Sequence, residues 1–390
     1  MADREYDIVL FGATGFAGRL TADYLARHVP PECRWALAGR SMPKLEALRE
    51  DLRDVDPRHG AIPLLRADVT DAGSVRDVAR AARVVISTVG PYVLHGEALV
   101  AACAAEGTDY LDLTGEPEFV NTTYVRHHDL ARSTGARLVH SCGFDSVPHD
   151  LGAYFTVLQL PEGVPLTLRG YVRASAAFSG GTFHSAVTGF SRPRANLVAS
   201  RRRKAAEALP DDRSARAVPG RPGRDPLGSG WAVPLPTIDP QVIARSARAV
   251  PRYGPAFRYS HFASVPNLAT ALAGVTGVAA LFGAAQLPPV RRLLLGRVSP
   301  GDGPSPARRA RSWFTVTFVG EGGGKRVVTR VSGGDPGYDE TAKMLAESAL
   351  ALAFDDLPTT SGQVTPAAAM GEALLARLQR AGIRFEMLPS

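Results

Sequence analysis

Cysteine is scarce in this sequence of 390 residues. The three cysteines, Cys33, Cys103 and Cys142, lie far apart and form no C-x-x-C pair. This pattern disfavours both a disulfide framework and a zinc site, so we expect no bound metal and a reducing, cytoplasmic environment. The first five residues, Met1 to Glu5, also lack the apolar run of a signal peptide, which favours a cytoplasmic location.

Acidic residues are fewer than basic ones, 38 against 45, which gives a net charge of +7. The excess lies between Arg192 and Arg258, where 14 basic residues face 5 acidic ones. This stretch lacks the interleaved aromatic residues of a single-strand binder and any helix-turn-helix or zinc pattern, so we expect no nucleic-acid partner. Because it is rich in proline and glycine, we predict a basic loop at 192–258 whose part from Leu209 to Gly230 is long and mobile.

A glycine turn between an apolar strand pattern and a helical pattern, within residues 7–28, predicts a nucleotide site. Gly12 lets the chain leave the strand sharply, Gly15 lets a pyrophosphate approach the backbone, and Gly18 lets the helix pack on the strand. The free N–H groups and the helix dipole would then hold the phosphates. A tight strand-to-helix turn without a ligand is the alternative.

The residues after the second predicted strand, Arg34 to Gly39, indicate which nucleotide is bound. Enzymes that use NAD usually end this strand with Asp or Glu, which binds the ribose hydroxyls. Here Arg40 and Ser41 follow the strand, and Lys44 lies one helical turn further on. Because a guanidinium can bind the 2′-phosphate, the sequence predicts NADP(H) as cofactor. A solvated Arg40 in a loop is the alternative.

Four further apolar runs, at residues 62–67, 83–89, 110–113 and 137–140, alternate with helical patterns. This spacing predicts βαβ units and an α/β fold with a Rossmann-type, doubly wound parallel sheet. Ligands bind such sheets at the carboxyl ends of the strands. The residues that we predict to bind the cofactor are Gly12, Thr14, Gly15, Phe16, Gly18, Arg40, Ser41, Lys44, Asp68, Thr88, Gly90, Pro91, Tyr92 and Gly143.

Eight short motifs run from one end of the chain to the other. They are Gly12-Ala-Thr-Gly-Phe-Ala-Gly18, Ala38-Gly-Arg40, Thr88-Val-Gly-Pro-Tyr92, Asp112-Leu-Thr-Gly-Glu116, Ser141-Cys-Gly-Phe-Asp-Ser-Val-Pro148, Ser179-Gly-Gly-Thr182, Gly334-Asp-Pro-Gly-Tyr338 and Thr365-Pro-Ala-Ala-Ala-Met-Gly371. With these motifs the chain resembles the saccharopine dehydrogenase-like oxidoreductases, in particular the branch named trans-acting enoyl reductases. The resemblance implies an NADP-binding Rossmann domain, a second α+β domain and, for some members, a link to complex lipid assembly.

We predict three segments in the chain. Residues 1–147 form the NADP-binding Rossmann domain, and 148–335 form an α+β domain for substrate binding or dimerisation, so a homodimer is compatible with the sequence. Residues 336–390 form C-terminal helices that return to the Rossmann domain or to the cleft. Within the second segment, residues 313–319 and 326–331 alternate apolar and polar residues around a glycine-rich turn, which predicts a β-hairpin.

The twenty residues from Leu268 to Leu287 carry no charge, and Arg291, Arg292 and Arg297 follow them. Their number matches a bilayer span, but Ala, Gly and Thr dominate, which makes insertion marginal. We consider three interpretations: a helix packed against the second domain, a peripheral segment on the inner, anionic face of the plasma membrane, and a transmembrane helix.

The catalytic residues are the hardest to predict, because no Ser–His–Asp motif, no Tyr-x-x-x-Lys pair and no H-E-x-x-H motif appears. Tyr92 and Asp145 follow the fourth and sixth strands and are our candidates. Tyr92 could contact the nicotinamide or donate a proton. Asp145 could relay a proton, or it could cap the helix that begins near Val147. We interpret His149 as packed or solvated and Cys142 as an inert buried thiol.

These observations predict an NADP(H)-dependent reductase that acts on a small-molecule or carrier-bound acyl or lipid substrate. Reduction of an enoyl double bond is the reaction that the resemblance favours. A saccharopine-type imine or amino-acid reductase is one alternative, and its substrate would require clustered arginines in the cleft. An NADPH-binding scaffold at a lipid surface, without turnover, is another.

Overall fold

The computed structural model describes residues 4–175, 180–228, 230–297 and 303–389, and their strands form two sheets. The strands are β1 (Tyr6–Phe11), β2 (Trp35–Gly39), β3 (Leu64–Arg66), β4 (Ala82–Ser87), β5 (Asp109–Asp112), β6 (Arg137–Val139), β7 (Leu166–Ser175), β8 (Ser214–Ala217), β9 (Gly223–Arg224), β10 (Trp231–Pro234), β11 (Ala256–Val265), β12 (Trp313–Gly322), β13 (Lys325–Gly333), β14 (Gly362–Val364) and β15 (Arg384–Leu388).

The α-helices of the described residues lie between these strands. They are α1 (Phe16–His28), α2 (Met42–Val55), α3 (Ala72–Ala81), α4 (Tyr92–His95), α5 (Glu97–Glu106), α6 (Pro117–Thr134), α7 (Val147–Leu158), α8 (Gly180–Phe190), α9 (Pro193–Ala206), α10 (Asp239–Ala249), α11 (Leu268–Gln286), α12 (Pro288–Gly296), α13 (Pro306–Arg309), α14 (Asp339–Phe354) and α15 (Pro366–Arg380). Ser179 of the predicted Ser179-Gly-Gly-Thr182 motif lies outside the described residues.

The first sheet has seven parallel strands in the order β14-β6-β5-β4-β1-β2-β3. Ile8, Val9 and Leu10 of β1 are fully buried, because helices cover both faces of the sheet. The strand order reverses between β1 and β4, which opens a crevice at the carboxyl ends of these two strands. The predicted Rossmann-type α/β fold is therefore confirmed.

The second sheet is mixed, with the order β15-β13-β12-β7-β11-β10-β9, and β8 pairs with β11. The predicted hairpin is present as β12 and β13, in which Val316 pairs with Val331. Helix α7 packs closely on this hairpin, because a Cβ at Gly152 would lie 2.4 Å from the ring of Phe318. Glycine at this position therefore brings the helix and the second sheet into contact.

The C-terminal segment contributes to the first sheet. Helix α14 packs against α1, β4 and β5, and β14 pairs with β6 as the seventh parallel strand. Buried side chains of both sheets and of this segment, among them Leu10, Phe318 and Leu345, belong to one continuous apolar core. The chain thus returns to the first sheet through α14 and β14, and it then adds β15 to the edge of the second sheet.

The predicted basic loop at 192–258 contains regular secondary structure. Most of the described residues from Leu209 to Gly230, predicted as long and mobile, are irregular, but they include β8 and β9. The stretch 192–258 contains α9, β8, β9, β10 and α10. Strands β8 and β10 pair with successive parts of β11, on the edge opposite β7. Arg203 is 3% exposed and its guanidinium lies 3.8 Å from the ring centroid of Tyr124. Arg203, Arg245 and Arg248 surround the half-buried carboxylate of Glu207. Part of the basic excess is therefore internal structure, whereas eight of the 14 basic residues are exposed.

Helix α11 corresponds to the uncharged segment that begins at Leu268. The side chain of Asn267 caps it by accepting a hydrogen bond from the N–H of Thr270, at 2.8 Å. Only Ala271 and Ala285 of this helix are buried. Among the described residues it is the one helix whose length and apolar composition suffice to cross a membrane. The helix contacts α8, β10 and β11 of the second domain, but most of its surface is exposed, so it is not a core helix.

Candidate active site

The glycine turn after β1 has the geometry that a bound pyrophosphate requires. Gly12 has a φ of +85°, which favours glycine. A Cβ at Gly18 would lie only 2.3 Å from the carbonyl oxygen of Gly12, so α1 can begin here only with glycine at that position. Gly15 is exposed and caps α1, whose first turn contains no acidic residue. The first N–H groups of α1 are therefore available to an anion.

Two other predicted residues of this turn have different surroundings. Thr14 is half-buried beside Gly15. The ring of Phe16 packs edge-to-face on the ring of Tyr338, with the centroids 4.9 Å apart. The guanidinium of Arg309 lies 5.8 Å from the centroid of the Phe16 ring. Phe16 therefore joins the glycine turn to the C-terminal part of the chain.

Arg40 and Lys44 are exposed at the end of β2, and half-buried Ser41 precedes α2. Neither Arg40 nor Lys44 forms an ion pair with a carboxylate of the described residues, so both are available to a phosphate. Asp68 lies at the end of β3. Hydrogen bonds from Thr70 lower the pKa of Asp68, and the nearby charge of Arg40 lowers it further. The structure thus brings Arg40 and Asp68 together at adjacent strand ends.

The end of β4 is tied to the glycine turn. The hydroxyl of Thr88 donates to the carbonyl oxygen of Gly12, at 3.0 Å. Gly90 and Pro91, which are joined by a cis peptide bond, follow on the same edge of the sheet. Gly90 is exposed there, and a Cβ on it would lie 3.8 Å from the hydroxyl oxygen of Ser185 in α8.

Tyr92 does not occupy the position that the sequence suggested. Its side chain is buried, and its hydroxyl donates to the carbonyl oxygen of Ser87, at 2.9 Å. The same hydroxyl accepts a hydrogen bond from the N–H of Leu113, at 3.2 Å. The roles predicted for Tyr92, as proton donor and as cofactor contact, are therefore not supported by its side chain. It joins the ends of β4 and β5 instead.

A buried carboxylate, Asp112, holds together the two loops that follow β5 and β6. It accepts hydrogen bonds from the N–H groups of Thr114 and Ser141, at 3.1 and 3.0 Å. Its second oxygen lies 2.6 Å from Nδ1 of His140. Ser141 has a φ of +63°, and its hydroxyl bonds the carbonyl oxygen of Thr114. This network fixes the course of the chain that leads to Asp145.

Glu116 is a second buried carboxylate, and we did not predict a role for it. It accepts hydrogen bonds from the N–H groups of Tyr92 and Val93, at 3.0 and 2.8 Å, and from the hydroxyl of Ser185, at 2.9 Å. Burial raises the pKa of Glu116, although these hydrogen bonds oppose the effect. Glu116 therefore positions α8 against the turn at Gly90. The position of Glu116 shortly after the parallel strand β5 is the sequence feature from which a role could have been predicted.

Asp145 is the one predicted catalytic residue that faces the site. A Cβ at Gly115 would lie 3.1 Å from its carboxylate, which places Asp145 beside Glu116. It does not cap α7, since the N-cap is Ser146 and no side chain makes a capping hydrogen bond. Its carboxyl group forms no hydrogen bond with any described residue, and the residue is exposed to the crevice.

The surroundings of Asp145 favour its protonated form. Protein atoms crowd the carboxyl group, and this burial raises its pKa from 3.8 to about 7. The charge of Asp239 raises the pKa further, and that of His149 opposes it. A carboxyl group that is half-protonated near neutral pH and open to a ligand is suited to general acid catalysis.

Behind Asp145, three buried groups form a charged network. Nδ1 of His149 lies 3.1 Å and Nε2 of His261 lies 3.6 Å from the two oxygens of Asp239. Burial raises the pKa of Asp239, but the two histidines outweigh it and hold that pKa below its usual value. Burial lowers the pKa of His261 to about 4. The three residues offer metal-ligand atoms within 4.8 Å of one another, a grouping that the sequence analysis did not anticipate.

Cys142 and Gly143 complete the loop after β6. Cys142 is fully buried, and burial raises the pKa of its thiol well above the usual value, as expected for an inert cysteine. A Cβ at Gly143 would lie 2.8 Å from the side chain of Leu113 and 3.0 Å from that of Thr341. Gly143 therefore serves close packing between the loop and α14, whose Thr341 accepts the N–H of Phe144.

Comparison with known proteins identifies the family of this chain. The family described as the saccharopine dehydrogenase NADP binding domain matches residues 8–139. A Mycobacterium tuberculosis protein whose name provisionally calls it a trans-acting enoyl reductase is 41% identical over 98% of this chain and 97% of its own. The trans-acting enoyl reductase of Mycobacterium ulcerans is 36% identical, again over 98% and 97%.

Among solved structures, the apo saccharopine dehydrogenase (L-Glu forming) of Saccharomyces cerevisiae has a similar fold. Its TM-score is 0.56, and the match covers 98% of this chain and all of the yeast chain. The two sequences are only 13% identical, so this similarity concerns the fold alone.

Proposed function

Because this chain belongs to the family of the trans-acting enoyl reductases and is an NADP-binding oxidoreductase, we propose that it reduces the carbon–carbon double bond of an enoyl group in an acyl or lipid-type substrate. We place this reaction in the biosynthesis of complex lipids. When bound, NADPH would supply the hydride that the β-carbon of the enoyl group receives. The α-carbon then needs a proton.

The residues at the glycine turn fit the cofactor. Gly12 and Gly15 leave room for a pyrophosphate beside the first N–H groups of α1. Arg40 and Lys44 are free to bind the 2′-phosphate, and Ser41 lies between them. Thr88, Gly90 and Pro91 form the edge of the crevice at the end of β4. We assign the nicotinamide half to that end of the crevice.

The observation that carries the proposal is the position and protonation of Asp145. It has no hydrogen-bond partner among the described residues, it is exposed to the crevice, and its pKa is raised to about 7. We assign it the role of general acid: its O–H bond breaks, the proton bonds to the α-carbon, and the carboxylate remains. Solvent then returns the proton to the carboxylate. Asp112 and Glu116 hold the surrounding loops in place during this step.

The charges around Asp145 disfavour a saccharopine-type substrate. The neighbours that most affect its pKa are Asp239, His149, Glu116 and Asp112, three of them acidic. A substrate with two or more carboxylates would be repelled by these groups unless arginines stood between them. Arg192, the arginine that reaches the start of α6, is already paired with Glu118 at 2.7 Å. An uncharged acyl chain meets no such repulsion.

Single-turnover oxidation of NADPH by enoyl thioesters of increasing chain length tests the proposal. Deuterium from labelled NADPH should appear at the β-carbon, and deuterium from heavy water at the α-carbon. Binding of NADPH without any oxidation would instead support a non-catalytic scaffold. Oxidation that requires an amine and an oxo acid would indicate a saccharopine-type reductase.

A further inference from the structure

The hairpin of α11 and α12, residues 268–296, projects an apolar surface from the second domain. Nine consecutive residues, Leu272 to Ala280, are exposed. Since nine residues make two and a half turns of helix, this part of α11 is exposed around its whole circumference. Leu272, Val275 and Val278 are 60%, 55% and 52% exposed. An apolar surface of this extent in water indicates something that covers it.

The polar groups of the hairpin are satisfied internally. The hydroxyl of Thr276 donates to the carbonyl oxygen of Leu272, at 2.8 Å. The hydroxyl of Thr270 bonds the side chain of Asn267, and the amide of Gln286 bonds the carbonyl oxygen of Phe190. A helix with these properties presents no unsatisfied hydroxyl to an apolar medium. Such internal satisfaction is what a lipid environment requires.

The charge next to the hairpin is of one sign. From Leu268 to Gly301 the chain has three arginines, Arg291, Arg292 and Arg297, and no Asp or Glu. Arg291 and Arg292 lie on α12, and no carboxylate of the described residues forms an ion pair with either of them. A second copy of the chain that packed its own hairpin on this one would bring the same arginines and no carboxylate from this segment. An anionic lipid surface supplies the counter-charge that these arginines lack.

We propose that the α11–α12 hairpin docks the protein on an anionic lipid surface, with α11 immersed among the acyl chains and Arg291 and Arg292 at the headgroups. A protein partner that covered one face of α11 would leave the opposite face in water, whereas lipid surrounds the helix on every side. Attachment of this kind is peripheral and reversible, and it places the protein at the inner face of the plasma membrane.

The hairpin is connected to the candidate active site through α8. The rings of Phe190 in α8 and Phe282 in α11 lie 6.0 Å apart. About one and a half turns before Phe190 in the same helix, the hydroxyl of Ser185 donates to the carboxylate of Glu116, which lies beside Asp145. Helix α8 therefore runs from the docking hairpin to the crevice. A lipid-linked substrate would reach the crevice along this helix, a consequence that rests on the proposed function, whereas the docking itself does not.

Flotation with vesicles of stated composition tests the docking. We expect the intact protein to float with vesicles that contain phosphatidylglycerol and to float poorly with pure phosphatidylcholine. A tenfold increase in salt, which shortens the Debye length about threefold, should release part of the protein. Because each basic residue near an anionic surface contributes about fivefold to partitioning, R291Q/R292Q should lower binding by about 10- to 30-fold.

L272D/V275D should abolish flotation, since it places two charges in the immersed part of α11. The matched control V125D/L130D changes two residues of α6 that are 42% and 43% exposed, and it should float like the parent. Retained NADPH binding in all variants shows that they are folded. This assay needs no turnover, so its result is independent of enoyl reduction.

Two results would overturn the proposal. One is failure of the parent to float with anionic vesicles at low salt. The other is a dimer in sedimentation analysis, in the absence of lipid, that L272D/V275D converts to monomer, because a second copy would then be the occupant of this surface. The proposal is supported if the parent and the control V125D/L130D float with anionic vesicles and L272D/V275D does not.

Discussion

Replacement of Asp145 by asparagine tests the assignment of the proton donor most directly. Asparagine keeps the size of the side chain but has no proton to give at neutral pH. General acids typically contribute 10²- to 10⁴-fold to a rate, so kcat for enoyl reduction should fall by about that factor. The affinity for NADPH should change little, because Asp145 lies after β6 and not at the glycine turn.

The pH dependence of the parent follows from the raised pKa of Asp145, about 7. The protonated fraction is roughly nine-tenths at about pH 6 and one-tenth at about pH 8, so kcat should fall by about tenfold between them. The slope should disappear in D145N. Steady-state NADPH oxidation gives kcat, and fluorescence titration gives the affinity.

Asp129→Asn, an exposed change on α6, is the control for a general effect of charge removal. A D145N variant with kcat within about threefold of the parent would remove Asp145 from the mechanism, since even a weak general acid contributes more. An unchanged pH profile in D145N would show that another group titrates.

Four further changes test the cofactor site and the stability of the fold. Arg40→Ala should weaken NADPH binding by about 1.5–3 kcal/mol, or 10- to 150-fold, and leave NADH nearly unaffected in calorimetric titrations; equal weakening of both would mean that Arg40 does not bind the 2′-phosphate. Gly15→Val should abolish NADPH binding with little change in the melting temperature, because a Cβ at Gly15 would meet no protein atom closer than 3.4 Å. Gly18→Ala should instead lower the melting temperature, because its Cβ would lie 2.3 Å from the carbonyl oxygen of Gly12. Burial raises the pKa of Asp150 to about 6, above its value in the unfolded chain, so its contribution to stability is complete below about pH 4 and is lost as the pH rises through about 6. That loss is about 3 kcal/mol in the parent and should be absent in Asp150→Asn, as urea unfolding at several pH values would show.

The local parts of the fold could be predicted because their causes are close in sequence. The glycine turn, the parallel strands and the Asp71 cap of α3 each depend on residues within a few positions of one another. The C-terminal hairpin, with its alternating pattern, was predictable for the same reason. Strand β14 was missed, since its three residues acquire their place only by pairing with β6, more than two hundred residues earlier.

The wrong predictions share one physical origin: the partners of a polar side chain are distant in sequence. Arginine-rich residues 192–258 suggested a solvated loop, but Arg203 stacks on Tyr124 and pairs with Glu207 in the interior. Tyr92 follows a strand at the ligand-binding edge, but its hydroxyl bonds Leu113 at the end of the neighbouring strand. Sequence position gives the edge of the sheet and not the direction of the side chain.

The three carboxylates at this edge show how the same chemical group acquires different roles. Asp112 and Glu116 each accept hydrogen bonds from two backbone N–H groups and from one side chain. These hydrogen bonds hold the neighbouring loops in place. Asp145 has no such donor among the described residues. Its proton is stabilised by burial and by the neighbouring acidic groups, and it remains available. A carboxyl group that is crowded, unsatisfied and open to a ligand can exchange a proton without breaking the structure around it. The difference between a positioning residue and a general acid here lies in the hydrogen-bond donors that the fold brings to each carboxylate.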